Sequence, residues 1–128
     1  LYNYILQEEK SNYGIVHALD GYDEISLTGG FKLFTKKGEQ LIQPEDIGQE
    51  KIEQSAIFGG NSVADAAKIF KTILDGKGTD AQNNVVLTNA AFALKVVEGT
   101  KSFETCFEET KEALFSLKAK ACLTKLVQ

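Results

Sequence analysis

"HALDGYDEISLTG", residues 17–29, decides how the chain is read. Asp23 and Glu24 stand side by side just after an apolar run, with Gly21 in front and Thr28-Gly29 behind. A β-strand would aim neighbouring side chains at opposite faces, and a helix would set them about 100 degrees apart. A loop can aim both at one point. The preceding "IVHAL", residues 15–19, is a short run of apolar and β-forming residues that reads as a buried strand. Before it, Leu1, Tyr2, Ile5 and Leu6 have the spacing of the last turns of an amphipathic helix. A helix followed by a strand and then an acidic loop is an αβ order, and ligands of open α/β sheets bind outside the carboxyl ends of the strands.

Two carboxylates there are hard oxygen ligands, of the kind magnesium takes one or two at a time while keeping waters and substrate phosphates on its other positions. Gly21 lets the backbone come close to a ligand. Adjacent acids in surface loops are also common as solvated groups or partners of lysines, so spacing alone leaves both readings open.

Downstream, "FKLFTKKGEQLIQ" alternates Phe31 and Leu33 with Lys32, then resumes at Leu41 and Ile42 after a turn in which Gly38 can take a positive φ. This predicts a β-hairpin, and Pro44 opens a turn or short helical start out of it. Helical spacing begins at residue 62. Asn61 or Ser62 caps a helix with Asp65 in its first turn and Val63, Ala66, Ala67, Phe70, Ile73 and Leu74 in one stripe, ended by Gly76 and Gly78. A second helix, about 81–98, is apolar on nearly every side and should be covered from more than one direction. Ser102 caps a third, expected to run to residue 119 or beyond, with Phe103, Phe107, Leu114 and Leu117 inward and Glu104, Glu108 and Lys111 on a solvated face.

The composition narrows the function. With 43% hydrophobic and 25% charged residues the chain is an ordinary globular sequence, and no apolar run approaches the roughly 20 residues that cross a bilayer. No signal peptide is visible, and the expected location is the cytoplasm. The net charge is −4, and every basic residue is Lys. A chain without arginine has neither the basic stripe of a nucleic-acid binder nor a guanidinium fork for phosphates and carboxylates, so no nucleic-acid or membrane partner is expected. Cys106 and Cys122 fall in one expected helix, roughly 24 Å apart, too far to be bridged, and both read as apolar filler in a reducing compartment.

His17, the only histidine, sits within the predicted strand with no nucleophile near it and is not a candidate catalyst. "FGGNSVAD", residues 58–65, leads into a helix N-terminus but lacks the spacing of either phosphate-loop fingerprint. Asn89, inside the apolar second helix, must bond to something. The chain starts at Leu, contains no Met, opens on a helix and offers little sheet for its apolar helices, all of which predict a piece of a longer polypeptide.

"GIVHALDGYDEISLTG", "PEDIG" and "GGNSVADAAKIFKTILDGKGTDAQNNVVLTNAAFAL" arrive in an order that resembles the C-terminal part of the anthranilate phosphoribosyltransferase family over almost the whole chain. The resemblance implies a phosphoribosyltransferase/nucleoside-phosphorylase-like α/β domain: helix end, buried strand, hairpin, then three helices. Residues 1–60 would hold strand, metal loop and hairpin, and 61–128 the helices. It implies transfer of phosphoribose from phosphoribosyl pyrophosphate to anthranilate in tryptophan biosynthesis, with Mg2+ as cofactor and Asp23 and Glu24 as its ligands. The family's phosphate loop, its substrate-contacting arginine and histidine, and its dimer-forming N-terminal domain would lie upstream of Leu1. The 128 residues alone are therefore expected to be inactive, to bind magnesium weakly and to self-associate, the longer polypeptide being a homodimer. Two other readings are a pyrimidine nucleoside phosphorylase fragment, which lacks the DE match, and a non-catalytic binding module derived from the transferase.

Overall fold

The computed structural model describes residues 1–128. The chain runs α1 (Tyr2–Leu6), β1 (Gly14–Ala18), β2 (Phe31–Thr35), β3 (Gly38–Ile42), two 3-10 turns at Pro44–Ile47 and Gln54–Ile57, then α2 (Val63–Leu74), α3 (Asp80–Glu98), α4 (Phe103–Phe115) and α5 (Lys118–Leu126). The strands form one antiparallel sheet in the order β1-β2-β3, with Val16 opposite Leu33 and Leu33 opposite Gln40. The expected hairpin is present. Lys36 and Lys37 make the turn, and Gly38 takes φ +123, a conformation that any side chain would strain.

One face of the sheet is covered. Alternation along β2 sends Phe31 and Leu33 into a core shared with Ile25, Leu27, Ala91, Phe92, Phe103 and Cys106. Phe92 of α3 is the hub: its ring meets Phe31 edge-on, with centroids 5.4 Å apart, and lies 4.9 Å from Phe103 of α4. The helix starts follow the sequence. Ser62, Thr79 and Ser102 each accept a hydrogen bond from the third residue of their helix, and Thr79 with Gln82 completes a capping box.

Several expectations change. The strand expected to be buried, β1, has only Ala18 buried, because it pairs with β2 alone and its other edge is open. The third helix is broken: α4 stops at Phe115, Leu117 turns the chain at φ 63, and α5 starts in a new direction. Leu117, expected inward, is thereby half-exposed. Cys106 and Cys122 consequently lie on different helices, both free, and only Cys106 is buried, so the filler reading holds for it alone. The apolar stripe of α2 buries no residue, with Val63 and Phe70 open to solvent.

The exposure is general. The accessible surface is 8569 Å², against about 6,700 Å² for a folded monomer of this mass. No helix is long and apolar enough to cross a membrane.

Candidate metal centre

The loop between β1 and β2 is built in three tiers. At its base the Leu19 N–H donates to the Gly30 carbonyl at 3.0 Å, extending the ladder one step past Ala18. Above that, the Asp20 carboxylate gathers the returning chain: its Oδ2 accepts from the Ser26 hydroxyl at 3.1 Å and from the Thr28 hydroxyl. The two hydroxyl oxygens are 2.9 Å apart, and the Thr28 N–H donates to Ser26 Oγ at 3.1 Å. Gly29 makes room, since a Cβ there would stand 3.0 Å from Asp20 Oδ2. Gly21 to Glu24 form the exposed tip.

A second clamp comes from 64 residues away. The Asn89 amide of α3 accepts from the Ile25 N–H at 3.0 Å and donates to the Ile25 carbonyl at 2.8 Å, so both backbone groups of the residue after Glu24 are fixed by one side chain. Ile25 and Leu27 sink into the core. Leu27 does so at φ 61, a left-handed conformation costing a non-glycine residue about 1–2 kcal/mol. Its burial and the Ile52 N–H bonded to its carbonyl at 3.0 Å offset that cost.

Burial alone would push the Asp20 carboxyl up, but the Thr28 and Ser26 hydroxyls and the nearby N–H groups of Tyr22 and Asp20 itself outweigh it and hold the group below the ordinary carboxylate value. Asp20 Oδ1 is buried without a well-formed hydrogen bond. Asp20 therefore stays ionised within the loop.

Asp23 and Glu24 are both exposed, and neither carboxylate bonds to a lysine or any other donor in the chain. Of the alternatives for the pair, lysine partners are not what the structure adopts, while exposure without a partner is common to solvated acids and to an open metal site. Two free hard-oxygen donors on a tethered loop suit a magnesium ion. No third His, Cys, Asp or Glu joins them in a metal-binding cluster, so waters and a ligand's oxygens would have to fill the other positions.

The remaining sequence candidates play other parts. His17 is exposed on β1 opposite Lys32. Gly60 takes φ +90, and a Cβ there would fall 2.4 Å from that of Asp65, whose carboxylate bonds to the Ser62 hydroxyl at 2.8 Å, so the double glycine serves the cap of α2. A cleft of about 280 Å³ lined by Leu33, Lys36, Lys37, Phe92 and Lys95 opens by the hairpin turn, at the far end of the sheet from the acidic loop. The sequence reading missed Asp20, whose signal was an acid at the strand end followed by two hydroxyls two residues apart. It marked Asn89 without its partner.

Residues 2–120 match the glycosyl transferase family, a/b domain. The chain belongs to that family. Among curated relatives is an anthranilate phosphoribosyltransferase of Flavobacterium psychrophilum, 48% identical over all 128 residues, which are 38% of that protein. One of Bacteroides fragilis is 44% identical, again over the whole chain and 39% of its own length. The chain thus spans well under half the length of the curated relatives it matches. Among solved structures, the anthranilate phosphoribosyltransferase of Thermus thermophilus superposes with a TM-score of 0.76 at 24% identity, covering 89% of this chain and 34% of that one. The Saccharomyces cerevisiae enzyme in complex with PRPP and Mg gives 0.80 at 22% identity, covering 96% and 36%. At those identities the structural likeness establishes the fold, a mixed α/β arrangement with a small antiparallel sheet.

Proposed function

We propose that these residues are the C-terminal portion of the α/β domain of an anthranilate phosphoribosyltransferase, with 1–60 supplying strand, metal loop and hairpin and 61–128 supplying the helices that hold them. The observation that carries this reading is the pair of unpartnered carboxylates, Asp23 and Glu24, on a loop fixed at its base, its neck and its far side. The family membership and the names of the curated relatives support the reaction: phosphoribose passes from phosphoribosyl pyrophosphate to the amine of anthranilate, and pyrophosphate leaves.

Asp23 and Glu24 are the magnesium ligands in this reading. The two carboxylates would hold the ion, and a magnesium ion held there would supply charge neutralisation for a departing pyrophosphate. The chain's own work is to keep the loop in place. Asp20 ties its ends, Asn89 fixes the residue after Glu24, and the α3 core beneath holds both to the sheet. Having no arginine, the chain leaves planar recognition of phosphate and carboxylate to other parts of the polypeptide. The open edge of β1 and the uncovered stripe of α2 fit that division. We place the whole enzyme in the cytoplasm as a homodimer.

The test uses the full natural polypeptide carrying these residues. With phosphoribosyl pyrophosphate and anthranilate it should form phosphoribosylanthranilate in a magnesium-dependent manner, and Asp23→Ala with Glu24→Ala should abolish the response to magnesium. An undiminished magnesium response in that variant would falsify the site. Product formation by the 128 residues alone would defeat the division of labour.

A further inference from the structure

We propose that Asp20 is a positioning residue of the metal loop: by binding Ser26 and Thr28 to the end of β1 it pre-orders residues 21–25 so that Asp23 and Glu24 are held ready for a divalent cation. The inference rests on the magnesium reading above and adds a residue that the metal chemistry does not itself require. Its support is geometric. The loop leaves the sheet at Leu19 and returns at Gly30, whose backbones are bonded. Ten residues lie between, and only the Asp20 carboxylate links the outgoing strand to the returning one within that span. Remove it, and Ser26 and Thr28 retain each other but lose the strand end.

The packing points the same way. Gly29 lies against the Asp20 carboxylate closely enough that a Cβ would stand 3.0 Å from Oδ2, so the returning chain is shaped around this acid. On the other side Asn89 fixes Ile25. The free tip is thereby cut to Gly21, Tyr22, Asp23 and Glu24, all exposed. A tip of four residues anchored at both ends has few conformations to lose when an ion arrives. Asp20 bonds to Ser26 and Thr28 and touches neither Asp23 nor Glu24, so it acts through the backbone that carries them, and groups outside a metal's own ligands commonly tune its affinity.

A rival explanation for any effect of Asp20 is its negative charge, which would attract a cation without ordering anything. The experiment separates the two. In the full natural polypeptide, Mn2+ binding in the presence of inorganic pyrophosphate is followed by electron paramagnetic resonance, and amide exchange is followed at residues 21–25. Two variants are compared: Asp20→Ala, and Ser26→Ala combined with Thr28→Val, which keeps the charge and breaks the tie. Protected amides in Phe31 and Phe92 report that each variant is folded.

Positioning predicts that both variants weaken Mn2+ binding by roughly tenfold or more and raise exchange at the tip. Weakening confined to Asp20→Ala, or Mn2+ affinity within about twofold of wild type in both, overturns the proposal. Should Asp23→Ala with Glu24→Ala leave Mn2+ binding intact, the magnesium reading fails instead. Exchange at the tip then still decides whether Asp20 orders the loop, and unchanged exchange overturns that too.

Discussion

Replacing Asn89 by alanine tests the link between the helical layer and the acidic loop. The side chain makes two hydrogen bonds to Ile25, at 3.0 and 2.8 Å, and one to the Val85 carbonyl at 2.9 Å. The Val85 contact lies within α3 and matters little to the loop. The two to Ile25 matter more, because that residue is 1% exposed and its N–H and C=O would be left in the core without partners. Leaving a buried backbone group unsatisfied costs about 1–3 kcal/mol. Two such groups, partly rescued by water in the space vacated, put the local loss at about 2–4 kcal/mol. Since about 1.4 kcal/mol is tenfold in an equilibrium constant, the Ile25 amide should exchange at least roughly 25-fold faster in the variant. Native-state hydrogen exchange of the full polypeptide reads this directly, with the Phe92 amide as internal control for global stability. The same variant should need more magnesium for half-maximal activity. An Ile25 exchange rate within about threefold of wild type would refute the clamp.

Other outcomes are equally definite. Phe92→Ala removes the ring that joins Phe31 to Phe103 and should cost about 3–5 kcal/mol, measured from the urea midpoint. Because Asp20 has a lowered carboxyl pKa in the folded state, its contribution is complete above its ordinary value of 3.8 and is lost as the pH falls through the lower folded value. Acid titration should therefore loosen residues 20–28, seen as faster exchange once corrected for the intrinsic pH dependence, and Asp20→Asn should remove that pH dependence. The isolated 128 residues, with an open β1 edge and an uncovered α2 stripe, should self-associate and bind an apolar dye. A monodisperse monomer in sedimentation that binds no dye would contradict it.

Much of this was legible in the sequence where local chemistry decides the outcome. Gly38 and the alternation of Phe31, Lys32 and Leu33 determine the hairpin, and Ser62 and Ser102 are strong local caps, while the Thr79–Gln82 capping box that starts α3 one residue early was not singled out. The end of α4 was not legible, because "FSLKAKA" holds neither glycine nor proline and the reversal falls on a leucine forced to φ 63. The solvation of β1 was missed for a related reason: composition reports that residues are apolar, not whether a neighbour is present to cover them. At the metal loop, Asp23 and Glu24 stood out as adjacent charges. Their supports did not, since a bond between Asn89 and Ile25 belongs to tertiary structure and leaves no local signature.

The distance of that clamp along the chain has a consequence for assembly. During synthesis the acidic loop emerges well before α3, and closing a link of 64 residues is slower than forming a local turn. The hairpin can close early by itself, yet the loop beside it acquires its final shape only when α3 docks. A nascent chain halted before Asn89 would carry both acids without the Ile25 clamp, so on the proposed reading any metal capture would wait for α3 to dock.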